Sequence, residues 1–396
     1  MKLLIINEVC GVTSTGTLCA DLAEYFLNRG HEVKVLYGRL TAPVRCSGYG
    51  VRVATRKQVL ISALSSRVMD NCGLGNRSST MEAIRFIHEF KPDVIHLHNL
   101  HGYYINFQIL FSELEKLSVP VVYTLHDCWA LTGHCAYFDH VGCNKWMSGC
   151  GTCPQKKEYP KSVLLDKSKD NWLKKENLYK NLSKMKVVTP SRWLGNLVKH
   201  SMLKRDAYVI PNGIDTSIFR PVERNYFLEN CLTDKKVVLG VASIWEDRKG
   251  LSFFVELSKI LPKEFRIVLV GVDNKQKSNL PNSILLLPRI DDRRKLASVY
   301  SSAYVYLNPT LEDNYPTTNL EAICCGTPVI TFNTGGSAES ASYYGVVCER
   351  NAESILEAIL QVENIQSDRF IKIREYFDLK RMLKQYEDLY ISLLSK

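Results

Sequence analysis

The chain has 396 residues, 45% of them hydrophobic and 23% charged. This composition excludes a wholly disordered, collagenous or coiled-coil protein, and the length calls for two domains rather than one core. Net charge is +10 and uneven: residues 1–205 hold 28 Lys and Arg against 16 Asp and Glu, whereas residues 206–396 hold 23 against 25.

The opening residues 3–6 form a short apolar run that meets Asn7 and Glu8 at once. That is too short for a signal peptide and reads as the buried first strand of a cytoplasmic protein. Gly11 to Gly16 follow as a turn, and Leu18, Leu22, Ala23 and Phe26 then recur at helical spacing. Further strands are expected at residues 31–36, 94–95 and 119–124. Residues 155–186 carry ten lysines, with Trp172, Leu173, Leu178 and Leu182 at helical spacing. They suit either an amphipathic helix at a membrane interface or a packed surface helix. After the turn-rich segments at 190–193 and 210–215 the pattern restarts. Strands are expected at 237–241, 266–270, 283–287, 305–307 and 328–332, and a helix at 251–261. Leu379, Leu383, Tyr386, Leu389, Tyr390 and Leu393 lie on one face of a last helix. Alternating strands and helices imply an α/β chain: two doubly wound, Rossmann-like domains facing across a cleft, with ligands at the carboxyl ends of the strands. The expected domains are residues 1–207 and 208–376, with 377–396 packing back on the first. No stretch approaches the roughly 20 apolar residues of a spanning helix.

The stretch from Asn308 to Ala322 is the most informative. A strand ends at Asn308, and Thr318-x-x-Glu321 fits a capping box at a helix start. The backbone amides of Thr318, Asn319 and Leu320 would then favour an anion. Asp313 and Glu321, eight positions apart, bracket that start, and carboxylates there can accept hydrogen bonds from sugar hydroxyls.

The spacing from Asp313 to Glu321 resembles the acid-x7-acid motif of retaining glycosyltransferases of family four, which have the GT-B fold. The runs Cys325-Gly326-Thr327-Pro328-Val329-Ile330 and Asn333-Thr334-Gly335-Gly336-Ser337-Ala338-Glu339 match its continuation. The runs Val188-Thr189-Pro190-Ser191-Arg192-Trp193 and Ile210-Pro211-Asn212-Gly213-Ile214-Asp215 match its interdomain segment. The resemblance implies that Glu321 binds the ribose of a nucleotide-sugar, UDP- or GDP-linked, and that Asp313 sits beside the donor sugar. The family's first acid is usually Glu; here Asp313 is preceded by Glu312 and followed by Asn314-Tyr315-Pro316-Thr317, so Glu312 is the other candidate. Arg248 and Lys249 resemble the family's diphosphate clamp, which makes a catalytic metal unexpected. There is no Asp-x-Asp motif. Gly16 is carried over as a neighbour of the donor phosphates, and His126 as a contact to the donor sugar. No enzymic nucleophile is identifiable, which agrees with front-side attack and retention, and closure of the domains would exclude water.

His98, His101 and Asp127 share the first domain's rim with His126 and are acceptor-side candidates. Five of 13 cysteines fall between 128 and 153. Cys135, Cys143, Cys150 and Cys153 end in a C-x2-C, which suits structural zinc in a polar loop without apolar residues to order it. Free thiols and redox-active or disulfide pairs are the alternatives, though disulfides are unexpected in a reducing cytosol. A related subset of these transferases shares the Cys-rich insert.

The expected function is transfer of a sugar to a glycan or lipid-linked oligosaccharide in surface polysaccharide biosynthesis. The basic half suits an anionic membrane surface, with the enzyme peripheral to it; ordinary solubilising charge is the plainer explanation. Nucleic acid is not an expected partner, since no aromatic–basic motif accompanies the charge. The alternatives are a sugar-nucleotide 2-epimerase of the same fold and a non-catalytic nucleotide-sugar-binding module. No Gly-x-Gly-x-x-Gly follows a strand, which argues against a nicotinamide dehydrogenase.

Overall fold

A computed structural model describes residues 1–182, 184–278, 280–364 and 369–395. The chain divides into two compact units, residues 1–210 with 385–396, and residues 211–384.

The first unit contains β1 (Lys2–Ile6), β2 (Glu32–Tyr37), β3 (Gly50–Arg52), β4 (Val94–Leu97), β5 (Val121–Thr124), β6 (Lys186–Thr189) and β7 (Tyr208–Val209). They form one sheet in the order β3-β2-β1-β4-β5-β6-β7, and every pairing is parallel. Leu3, Leu4, Ile5 and Ile6 are all fully buried. Such a continuous apolar run is what a strand covered on both faces requires. Strand order reverses at β1, which lies between β2 and β4. At that switch point the loop after β1 and the loop after β4 are tied together: the Asn99 N–H donates to Asn7 Oδ1 at 3.2 Å.

The second unit contains β8 (Lys236–Val241), β9 (Phe265–Val270), β10 (Ile284–Leu287), β11 (Val305–Asn308), β12 (Val329–Phe332) and β13 (Gly345–Cys348). Their order is β10-β9-β8-β11-β12-β13, again all parallel. Its switch point lies between β8 and β11, so a ligand is expected outside the carboxyl ends of those two strands.

The helix Ser168–Asn181 corrects the idea of a membrane-interface helix. Trp172, Lys175 and Tyr179 face inward on one stripe and are buried, while Leu173 lies off that stripe and is exposed. The Trp172 indole N–H donates to the Trp146 carbonyl at 2.9 Å, so this face is spent on the interior of the first unit. The helix Leu379–Leu394 spans the division between the units. Within the first unit its Tyr390 hydroxyl meets His96 Nδ1 at 2.6 Å, and its Tyr386 hydroxyl meets Thr124 Oγ1 at 3.1 Å.

Candidate functional site

The second unit's switch point is built from two loops. After β8, a 3-10 turn at Asp247–Lys249 runs into Gly250 and the helix Leu251–Ile260. After β11, residues 309–316 lead into the helix Thr317–Cys324. The loops are laced together: the Leu311 N–H donates to the Arg248 carbonyl at 2.7 Å, and the Thr310 hydroxyl to the same carbonyl at 3.2 Å. Gly250 allows this contact. Its φ is +73°, and a Cβ there would stand 2.1 Å from the Pro309 carbonyl oxygen. On the other side, Gly335 at φ +51° packs against the Asp313 carbonyl, which a Cβ would reach at 2.0 Å.

Lys249 Nζ lies 2.7 Å from Asp313 Oδ2. The Arg248 guanidinium is held by the Glu246 carboxylate at 3.1 Å and by the Glu312 carbonyl at 3.3 Å. Glu321 sits in the second turn of the helix, half-buried. Burial pushes its carboxyl up to about 7, against the opposing pull of the Tyr300 hydroxyl and Arg293. The Tyr300 hydroxyl donates to Glu321 Oε2 at 3.1 Å. Asp313, Thr317, Thr318 and Glu321 all keep partial exposure.

Several expectations need correction. Pro316 is the residue before the helix and makes no side-chain cap, so Thr318 and Glu321 form no capping box. Glu321 turns to Tyr300 instead. The Asn319 side chain is fully buried in a network with Asn308, Ser337 and Ser340. It locks the helix Thr317–Cys324 to its neighbour, while the Asn319 backbone N–H, expected to face an anion, donates to the Pro316 carbonyl at 3.2 Å. Leu320 is a core side chain, and Glu312 and Asn314 are buried too. Of the two neighbouring acids, Asp313 is therefore the one within reach of solvent.

In the first unit, Gly16 is buried one turn into the helix Thr13–Leu27, and its carbonyl accepts the Gly11 N–H at 2.8 Å. The histidines do come together. His98 Nδ1 meets His126 Nε2 at 2.9 Å with the rings stacked. Burial holds His96 and His98 well below the usual imidazole range and brings His126 down to about 4. His101 Nε2 meets Asp127 Oδ2 at 2.8 Å, and His101 Nδ1 meets the Tyr159 hydroxyl at 2.9 Å. Burial opposes charge on His101, but Asp127 outweighs it and raises the imidazole; the His101–Asp127 pairing likewise overcomes burial and lowers the carboxyl. Asp127 Oδ1 also accepts the Trp129 N–H at 2.9 Å. His98 and His101 are buried and engaged from within, whereas His126 and Asp127 retain partial exposure. All four line one small cavity, and the buried His98 Nε2 has no hydrogen-bond partner among the described residues.

The expected zinc cysteines all line one small cavity, but among the described residues no three His, Cys, Asp or Glu form a ready ligand set. The loop is also less polar than its sequence suggests. Phe138 and Trp146 are buried and stack at 5.1 Å.

Tyr300, Tyr159 and Tyr390 were not identifiable as site residues from the sequence. Each acts through a partner distant in sequence, and no motif marks it.

Two parallel, Rossmann-like sheets, each with its own switch point, are the architecture of the GT-B fold. A family model for Glycosyltransferase Family 4 matches residues 15–218, and one for Glycosyl transferases group 1 matches residues 235–364. The chain belongs to glycosyltransferase family 4. It is 24% identical over 319 residues to a protein of Escherichia coli (strain K12) assigned to colanic acid biosynthesis as the glycosyl transferase WcaC, covering 76% of this chain and 77% of the relative. It is 27% identical over 210 residues to the Escherichia coli UDP-Gal:alpha-D-GlcNAc-diphosphoundecaprenol alpha-1,3-galactosyltransferase, covering 47% and 54%. Among solved structures, sucrose-phosphate synthase from Thermosynechococcus elongatus superposes with a TM-score of 0.72 at 15% identity, covering 100% of this chain and 99% of that one. Anabaena HepE in complex with UDP superposes with a TM-score of 0.68 at 15% identity, covering 99% and 100%. Among the described residues no helix is long and apolar enough to cross a membrane.

Proposed function

We propose that the chain is a retaining, metal-independent glycosyltransferase that takes a sugar from a UDP- or GDP-linked donor. Its acceptor would be a glycan or a lipid-linked oligosaccharide in surface polysaccharide biosynthesis. The observation that carries this reading is the Lys249–Asp313 ion pair at the β8/β11 switch point, beside the half-buried Glu321. In this reading the donor diphosphate lies over the first turn of the helix Thr317–Cys324, where the helix dipole and the first-turn amides other than that of Asn319, which donates to the Pro316 carbonyl, favour an anion. Lys249 and Arg248 meet the charge that develops on the departing diphosphate, so the cation work falls to side chains. Glu321 accepts hydrogen bonds from ribose hydroxyls. Asp313, oriented by Lys249, accepts from the sugar, and His126 contacts a sugar hydroxyl. The acceptor oxygen attacks the anomeric carbon on the face where its bond to the diphosphate oxygen breaks, the acceptor proton passes to that departing oxygen, and the anomeric configuration is kept.

The names of the Escherichia coli relatives support the polysaccharide and lipid-linked context. The basic first half supports recognition of an anionic carrier at the membrane surface. The test is to incubate the protein with UDP- and GDP-sugars and a lipid-linked sugar diphosphate, with chelator present, and to read the product by NMR. An α-linked product from an α-linked donor is expected. An inverted linkage, an absolute metal requirement, or donor conversion without acceptor would each overturn part of the reading.

A further inference from the structure

Between β5 and the helix Ser168–Asn181 the chain contains no α-helix or strand, only the short turns Trp129–Leu131 and Lys145–Met147. Long irregular stretches inside a compact unit are uncommon and usually have a function of their own. Here four cysteines, Cys135, Cys143, Cys150 and Cys153, line one small cavity. Backbone donors already point at sulfur: the Gly133 N–H donates to Cys150 Sγ at 3.2 Å, and the Gln155 N–H donates to Cys153. Amide N–H groups aimed at sulfur are outer partners of the kind that orient the ligands of a metal.

Two further observations point to a ligand. His134 lines the same cavity and is 2% exposed. Its Nδ1 pairs with Asp70 Oδ1 at 2.5 Å, while its Nε2 has no hydrogen-bond partner among the described residues. A fully buried ring nitrogen left without a partner beside the cavity calls for an acceptor or donor there, and a metal-bound sulfur would supply one. Lys175 is 1% exposed. Its Nζ donates to the Trp129 carbonyl at 2.5 Å and to that of Thr132, a cavity-lining residue, at 2.9 Å. It forms no ion pair among the described residues; its Nζ lies over the Trp129 ring at 3.4 Å, which partly offsets its burial, and a nearby anion would complete the offset. Four thiolates around a divalent ion carry two negative charges and would supply one.

We propose that Cys135, Cys143, Cys150 and Cys153 bind one structural zinc ion, with His134 and Lys175 as its polar and charged surroundings. Four sulfurs leave no open coordination position, so the ion shapes the insert and takes no part in sugar transfer. The sulfurs ring the cavity without meeting at one point. Closing to zinc–sulfur distances of about 2.3 Å is the movement the proposal requires. It stands independently of the donor site in the second unit.

The test is metal analysis of the full-length protein after gel filtration under reducing conditions. One zinc per chain is expected. Protein loaded with cobalt should show thiolate-to-metal charge transfer and the visible bands of a tetrahedral site. Cys150→Ser and Cys153→Ser should lose the metal, while Cys231→Ser, at an exposed cysteine, should keep it. His134→Asn should bind about 10- to 100-fold more weakly. If the cysteine variants fail to fold, the wild-type stoichiometry and the zinc released by a mercurial still decide. Metal-free protein whose four thiols all alkylate freely, or an intact mass showing a disulfide among them, would overturn the proposal.

Discussion

Glu321 occupies a position that disfavours its own charge. Burial lifts its carboxyl from an ordinary 4.5 to about 7, although the Tyr300 hydroxyl and Arg293 both pull it down. The folded protein therefore holds this proton more tightly than the unfolded chain does. Stability falls as pH rises across the window from 4.5 to about 7, and the full cost is present above it. A shift of that size corresponds to about 3–4 kcal/mol at most. Because the acid keeps contact with solvent, about 1–2 kcal/mol is the expected net cost. Glu321→Gln removes the charge and leaves an oxygen to accept from Tyr300. At about pH 8 the variant should gain about 1–2 kcal/mol, which raises the second unit's melting transition by about 2–8 °C. At the acid end of the window it should match the parent. Scanning calorimetry at both pH values reads this directly. A variant no more stable than the parent at the higher pH, or equally stabilised at both, refutes the reasoning. If the gain appears while nucleotide-sugar turnover drops, the unfavourable carboxylate is there for its ligand.

Lys249→Met should leave the Asp313 carboxylate without its cation and lower kcat by about 10²- to 10³-fold. Lys249→Arg should recover part of this in steady-state kinetics, since it restores the charge with different geometry. Gly250→Ala puts a Cβ 2.1 Å from the Pro309 oxygen at φ +73°. It should cost about 2–4 kcal/mol in urea denaturation, and an unchanged midpoint would contradict the loop contact. In the first unit, His126 sits near 4, and His96 and His98 are also lowered. For these histidines the unfolded chain binds protons more tightly, so their contribution to stability is lost as pH falls from 6.5 towards about 4. Melting followed by circular dichroism should shift down over that range, and His126→Gln should make the slope shallower.

The fold is legible where apolar runs are continuous. Residues 3–6 and 267–270 read as strands covered on both faces, and their alternation with helices leads to two parallel sheets. The short edge strands β3, β7 and β13 are not legible, because they offer two to four residues with little burial. The eight-residue spacing of Asp313 and Glu321 marks the donor-site candidates, and the two do flank the start of the helix Thr317–Cys324. How each acid is held is not legible, since Tyr300 reaches Glu321 from another helix and Lys249 reaches Asp313 across a 64-residue separation. Asn319 misleads for a related reason. Its backbone N–H is expected to face an anion, but it donates to the Pro316 carbonyl at 3.2 Å, and its side chain is taken up by Ser337 and Ser340.

Titration calorimetry of UDP and GDP, with their sugars, into the parent protein and into Lys249→Met and Glu321→Gln would test the donor site most directly. One of these nucleotides should bind the parent, and each substitution should weaken it at least about tenfold, the loss of one charge-assisted contact. Binding that is undiminished in both variants would place the nucleotide elsewhere and contradict the account.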